Sequence, residues 1–336
     1  MKRLYIRSII IALLISVGMI GCNKKNAPSN VEDIQSIVET SEDTEKEKTD
    51  DKEQLSEKLE NKEDNEKTDT QINENNDATN NDQNTSDLKL GYNSKYGVFL
   101  NYDGDLNKFS DYDEIVIDAQ YFSKEQISEY KKGGHRVYSY LNIGSLETFR
   151  PYYNNFADIT LSDYENWDEE RWIDASNADW QNYVLNTLAP SLIEKGVDGF
   201  FVDNCDVYYM YQNDAMLSGV AAIMKGLKGY NKAVIMNGGD TFLDAYCSKI
   251  GVWSDVITGI NQETVFSKID WDDENHGVSN PEDRAYFTEY LERYSKAGAD
   301  IYLLEYTKDN SLKAYIDNYC KNKNYAYYIS DSIELD

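Results

Sequence analysis

The chain has 336 residues, a formal net charge of −28, and 13% aromatic residues of which 28 are tyrosine. An excess of negative charge on that scale repels phosphate backbones and excludes a nucleic-acid partner. Four cysteines and two histidines, none in a CxxC, HExxH or Gly-x-Ser-x-Gly context, argue for no zinc site, disulfide scaffold or serine triad, so neither metal nor cofactor is expected.

Lys2, Arg3 and Arg7 precede an apolar run from Ser8 to Val17 that is short for a membrane span, and Met19-Ile20-Gly21-Cys22 follows directly. Residues 1–22 therefore read as a signal peptide whose end resembles a bacterial lipobox. Cys22 is the expected lipidation site, which implies an extracytoplasmic protein held to the membrane by its lipid. Residues 23–88 contain 20 acidic and 8 basic side chains and no aromatic ones. Apolar groups are too sparse there to offset the entropy of ordering, and the segment reads as a disordered linker.

Composition changes abruptly at residue 89, where Tyr, Phe, Trp, Ile and Val return, and residues 89–336 have the size of one large domain. About −19 of the formal charge stays on this part once the leader and linker are set apart. That charge serves solubility, and it also suits a cationic polymer such as a deacetylated amino sugar. Short apolar strand candidates run Tyr96–Tyr102, Glu114–Gln120, Arg136–Gly144, Gly199–Asn204, Ala233–Gly239, Val256–Gln262, Asp300–Tyr306 and Tyr325–Ser330. Helical spacing falls between them at Lys124–Lys132, Asp179–Lys195, Met210–Lys225, Pro281–Ala297 and Ser311–Lys321. Eight strands joined by helices predict an α/β fold, a (β/α)8 TIM barrel preceded by the linker. A doubly wound open sheet is the alternative, but no GxGxxG turn follows the first strand.

In such a barrel the site gathers where strands end, and polar residues stand at nearly every end: Asp118, Asn142, Asp203 with Asn204, Asn237, Gln262 with Glu263, Glu305 and Asp331. Glycoside cleavage needs one carboxyl that gives a proton and another that attacks or activates water. Asp203 and Glu263 are the candidate catalytic residues. Asn142, Asn204, Asp206, Asn237, Glu305 and Tyr306 are candidates for binding substrate, and Glu305 is also the second choice for a catalytic carboxylate. The segment Ser145–Ser176 holds Phe149, Tyr152, Tyr153, Phe156, Tyr164, Trp167 and Trp172. Such rings either stack on sugar faces or pack the segment onto the barrel. An EF-hand-like run through Asp103, Asp105, Asn107 and Glu114 lacks its glycine, with Lys108 in the loop, and is set aside.

Five stretches together resemble the glycoside hydrolase family 114 domain: Val137–Gly144, Arg171–Asp174, Gly196–Tyr208, Asn261–Glu263 and Tyr302–Tyr306. The resemblance covers nearly the whole folded region. It implies endo-acting cleavage of an α-1,4-linked galactosamine polymer, with Asp203 as nucleophile and Glu263 as acid/base or the reverse. A monomer acting on a polysaccharide is expected. A catalytically silent carbohydrate-binding lipoprotein is the alternative.

Overall fold

The computed structural model describes residues 91–165, 167–270 and 275–336. The leader, Cys22 and the linker of residues 23–88 lie outside the described residues. In chain order the strands are β1 (Tyr96–Phe99), β2 (Glu114–Ile117), β3 (Arg136–Asn142), β4 (Ser145–Glu147), β5 (Thr160–Tyr164), β6 (Trp167–Ile173), β7 (Gly199–Asp203), β8 (Ala233–Asn237), β9 (Gly259–Glu263), β10 (Ser267–Asp270), β11 (Asn275–Val278), β12 (Asp300–Tyr306) and β13 (Ala326–Ser330). Eight of them pair in parallel in the order β1-β2-β3-β7-β8-β9-β12-β13. β13 comes back against β1, where Phe99 meets Tyr328 edge to face and Asn101 N–H donates to Leu335 O at 3.2 Å. This is the barrel that the strand count predicts.

Helices separate the ring strands: α1 (Lys124–Lys131), α2 (Ala178–Tyr183) continuing through a π turn into α3 (Ala189–Glu194), α4 (Asp214–Lys228), α5 (Asp240–Lys249), α6 (Pro281–Ala297) and α7 (Asn310–Lys323). Local chemistry sets their ends. Ser123 and Gln126 form a capping box at α1, Asn213 accepts from Met216 N–H at 2.9 Å to start α4, and Gly298 at φ 104° ends α6. The Asn213 cap is why α4 begins at Asp214, later than the expected Met210. α5 has no counterpart in the sequence reading, because its buried positions are only Phe242, Leu243 and Tyr246. The sixth ring strand starts at Gly259, not Val256; Val256 and Ile257 are buried in the turn before it.

Strand alternation fixes what fills the ring. Tyr96, Val98, Val116, Tyr138, Tyr140, Phe201, Ile235, Tyr302, Leu304, Tyr306 and Ala326 form one buried cluster inside it. The segment between β3 and β7, for which the sequence reading lists no strands, forms a three-stranded antiparallel sheet in the order β4-β6-β5. β10 and β11 make a second hairpin after β9. Ile269 of that hairpin and Leu335 of the C-terminal tail join the inner cluster.

Candidate active site

Period-two alternation carries the inward face of each strand to its last residue. Phe201 faces the interior, so Asp203 does; Ile235 does, so Asn237 does. Asn237 also pairs in register with Asn261 on β9, and Asn261 lies two residues before Glu263 on the same face. Three neighbouring strands thus bring Asp203, Asn237, Asn261 and Glu263 to one place, each at most 3% exposed.

Asn237 joins them. Its Nδ2 donates to Asp203 Oδ1 at 3.0 Å and to Glu263 Oε1 at 2.7 Å. Its Oδ1 accepts from Asn261 Nδ2 at 2.7 Å, and the Tyr96 hydroxyl donates to Asn261 Oδ1 at 3.2 Å. The Tyr306 hydroxyl donates to Glu263 Oε2 at 2.8 Å. Because one nitrogen serves both carboxylates, those two oxygens are no further apart than the two bonds laid end to end, 5.7 Å.

Burial and mutual repulsion keep protons on this pair. Desolvation, then the neighbouring Glu263, push Asp203 up to about 8, against the pull of the Asn237 bond. Desolvation lifts Glu263 to about 7, and the donors Asn237 and Tyr306 restrain it. Near neutrality the two groups hold about one proton between them and titrate as a unit.

The backbone turns sharply after each of the three residues. Asn204 has φ 63°, Gly238 φ 63° and Thr264 φ 54°. Asparagine and glycine tolerate the left-handed region; a β-branched threonine there is strained, and the Thr264 hydroxyl is buried without a partner. Gly144 meets the Asn204 turn so closely that a Cβ would stand 1.8 Å from Asn204 O.

The remaining sequence candidates divide. Asn204 and Asn142 sit at the mouth but bind the protein itself. Asn204 Oδ1 accepts from the Tyr164 hydroxyl at 2.9 Å and its Nδ2 donates to Ser145 Oγ at 3.2 Å. Asn142 Oδ1 accepts from Ser145 N–H at 2.9 Å, and its Nδ2 donates to the Tyr140 hydroxyl at 3.1 Å and Ser145 Oγ at 2.6 Å. Asp206 accepts from Gly239 N–H at 3.2 Å and is pushed up to about 8 by burial, Asp240 and Asp203. Glu305 is not brought to the pair. Leu304 and Tyr306 face the interior, so Glu305 between them faces out, where Phe266 N–H, Ser267 N–H (2.8 Å) and Ser267 Oγ (2.5 Å) donate to it. It braces the turn between β9 and β10. Asp118 is bound by Arg150 Nη1 at 2.6 Å.

Sequence reading did not single out Asn261, Tyr96 or Tyr140. Each was findable by stepping back two residues from a named strand end, or by tracing the interior tyrosines. Among the aromatics of the covering segment, Tyr152, Phe156, Tyr164 and Trp172 are buried in packing, with Trp172 stacked on Tyr164 at 4.2 Å.

A sequence model of glycoside-hydrolase family GH114 matches residues 76–333. Among solved structures, the glycoside hydrolase domain of PelA from Pseudomonas aeruginosa is similar in fold, with a TM-score of 0.61 and 17% identity over 72% of this chain and 96% of that one. Aspergillus fumigatus Ega3, solved in complex with galactosamine, gives a TM-score of 0.58 and 17% identity over 76% of this chain and 97% of that one. A comparison with curated proteins finds no match.

Proposed function

Because the chain belongs to glycoside-hydrolase family GH114, and is therefore a glycoside hydrolase, we propose that it cuts an α-1,4-linked galactosamine-containing polysaccharide internally, with Asp203 and Glu263 as the reacting carboxyls. The observation that carries this is the shared amide of Asn237, which holds two buried carboxylates within 5.7 Å at the ends of neighbouring strands. That span suits direct attack on the anomeric carbon, for which about 5–5.5 Å is usual, and is short for a water-mediated inverting pair at about 6.5 Å or more. Asp203 attacks and Glu263 protonates the leaving oxygen, then activates the water that releases the sugar. Of the two, Asp203 holds a proton more firmly, having fewer side-chain donors than Glu263. A cationic sugar arriving beside Asp203 favours its ionised form and leaves the proton on Glu263.

The substrate class is supported by the family, by the galactosamine bound to Ega3, and by the acidic charge of the chain. The leader ending at Cys22 supports an extracytoplasmic protein, lipid-anchored through a tether of residues 23–88. Among the described residues no helix is long and apolar enough to cross a membrane.

The test follows oligosaccharide release from partially deacetylated α-1,4-galactosamine polymer by wild type, Asp203→Asn and Glu263→Gln. Release by wild type, a loss of 10³-fold or more (roughly 4 kcal/mol) in each variant, and a first product whose NMR signal keeps the α configuration are expected. Glu263→Gln should recover on a glycoside with a good leaving group and Asp203→Asn should not. Wild type that binds the polymer and never cuts it would turn the reading toward a binding module.

A further inference from the structure

The sheet β4-β6-β5 presents one face to the barrel mouth. Ser145 lies opposite Trp172 and Glu147 opposite Glu170, so these four side chains share that face. Ser145 bonds Asn142 and Asn204, and the Tyr140 hydroxyl inside the ring donates to Glu147 Oε1 at 3.2 Å, which fixes the face as the inner one. Glu170 is on it, 7% exposed.

What sets Glu170 apart is its lack of compensation. The other carboxylates with as little exposure outside the reacting pair all have it; Asp206, more exposed, has only Gly239 N–H. Glu114 has Arg136, Ser94 and Tyr138; Asp118 and Glu147 share Arg150; Glu305 has two backbone N–H groups and Ser267 Oγ. Glu170 has one hydrogen bond, from Ser145 Oγ at 2.6 Å, and among the described residues no lysine or arginine pairs with it. A buried carboxylate without a paired cation either holds a proton or is open to a cation that replaces it. Nearby, Trp172 is fully buried with an indole N–H that has no acceptor.

Glu170 is also close to the reacting centre. Ser145 Oγ lies 2.6 Å from its Oε2 and 3.2 Å from Nδ2 of Asn204, the residue after Asp203. Burial raises the Glu170 proton affinity well above the usual carboxylate range, with Glu147 and Asp203 adding to it against the Ser145 bond and the field of Arg150.

We propose that Glu170 is a binding site for the ammonium group of a sugar in the cleft, and that through it the enzyme selects a deacetylated amino sugar over its N-acetylated and neutral counterparts. The proposal rests on the reading that the substrate is an amino-sugar polymer. Arg150, bonded to Asp118 and Glu147, acts on Glu170 only at a distance, and the incoming ammonium is the cation that pairs with this carboxylate directly. Glu147, one strand away, has Arg150 and offers no such vacancy for charge.

Calorimetric titration of the full chain with galactosamine oligomers, their N-acetylated forms and neutral galactose oligomers tests this. Wild type should bind the cationic oligomers more tightly. Glu170→Gln should lose about 10- to 100-fold of that affinity and leave the other two nearly unchanged. Glu170→Asp, which keeps the charge but withdraws it by one methylene, should lose less in the same direction and stands in should the amide variant fail to fold. Equal affinity of wild type for charged and uncharged oligomers, or an equal loss on all three in the variants, overturns the proposal. Hydrolysis is scored separately. Binding preference without cutting sinks the functional reading and leaves Glu170 assigned; cutting without preference does the reverse.

Discussion

Asn237 donates two hydrogens from one amide to two groups that repel each other, and Asn261 and Tyr96 hold that amide in place. The arrangement favours one shared proton and has a measurable consequence for stability. The folded pKa of Asp203 is raised from 3.8 to about 8, so folding favours its protonated form. That contribution is complete below the unfolded value and is lost as pH rises through the folded one. Asp203→Asn, uncharged throughout, should therefore come close to wild type in denaturant unfolding at pH 4 and exceed it by about 5 kcal/mol at pH 8 to 9. An advantage that is constant with pH would show that Asp203 is not held protonated. At this scale much of the candidate site was legible, because a polar residue ending an apolar strand stands out in any sequence. Which way it faces was not. Glu305 and Tyr306 are adjacent, and only the alternation through Tyr302, Leu304 and Tyr306 sends one out and the other in.

The sheet over the mouth is the element that composition described least well. Seven aromatics in a stretch without clear periodicity read as a loop, yet β6 pairs with both β4 and β5, with register shifts in the β5 pairing that blur the alternation. What pins it to the barrel is Arg150. Its guanidinium gives Nη1 to Asp118 at 2.6 Å and Nε and Nη2 to Glu147 at 2.8 and 2.7 Å, nearly out of solvent. Removing the cation leaves two buried carboxylates unpaired. Arg150→Ala should cost about 3–5 kcal/mol in urea unfolding and should release the sheet, seen as faster amide exchange in β4 to β6 than in the ring. A cost under about 1 kcal/mol would mean that the sheet is held by its aromatic packing instead. Neither Asp118 as an anchor nor Arg150 as its partner could be read from the chain, since they come from different elements 32 positions apart.

Over the whole molecule the ring was the most legible feature, since eight apolar strands of similar length with helical spacing between them admit few other folds. Charge is the other whole-molecule property. With a formal −28, the chain's field extends beyond contact range and favours the proposed cationic glycan over a neutral one. The screening length falls from about 30 Å at 0.01 M salt to about 3 Å at 1 M. Between those limits kcat/KM on a deacetylated polymer should fall by about tenfold or more while the value on a neutral polymer stays level. A parallel fall on both would assign the effect to the protein's stability and not to attraction.

The left-handed turns after Asp203, Asn237 and Glu263 are occupied by asparagine, glycine and, at the third, threonine. Selection for heat resistance should therefore return substitutions at Thr264 ahead of its neighbours, with glycine or asparagine relieving about 1 kcal/mol of backbone strain. The same clones should turn over more slowly if the strained exit of β9 helps hold Glu263 against Asn237 and Tyr306. Thermal tolerance and turnover at this one position would then be opposed traits, and natural variation there would record which of the two a given habitat rewards.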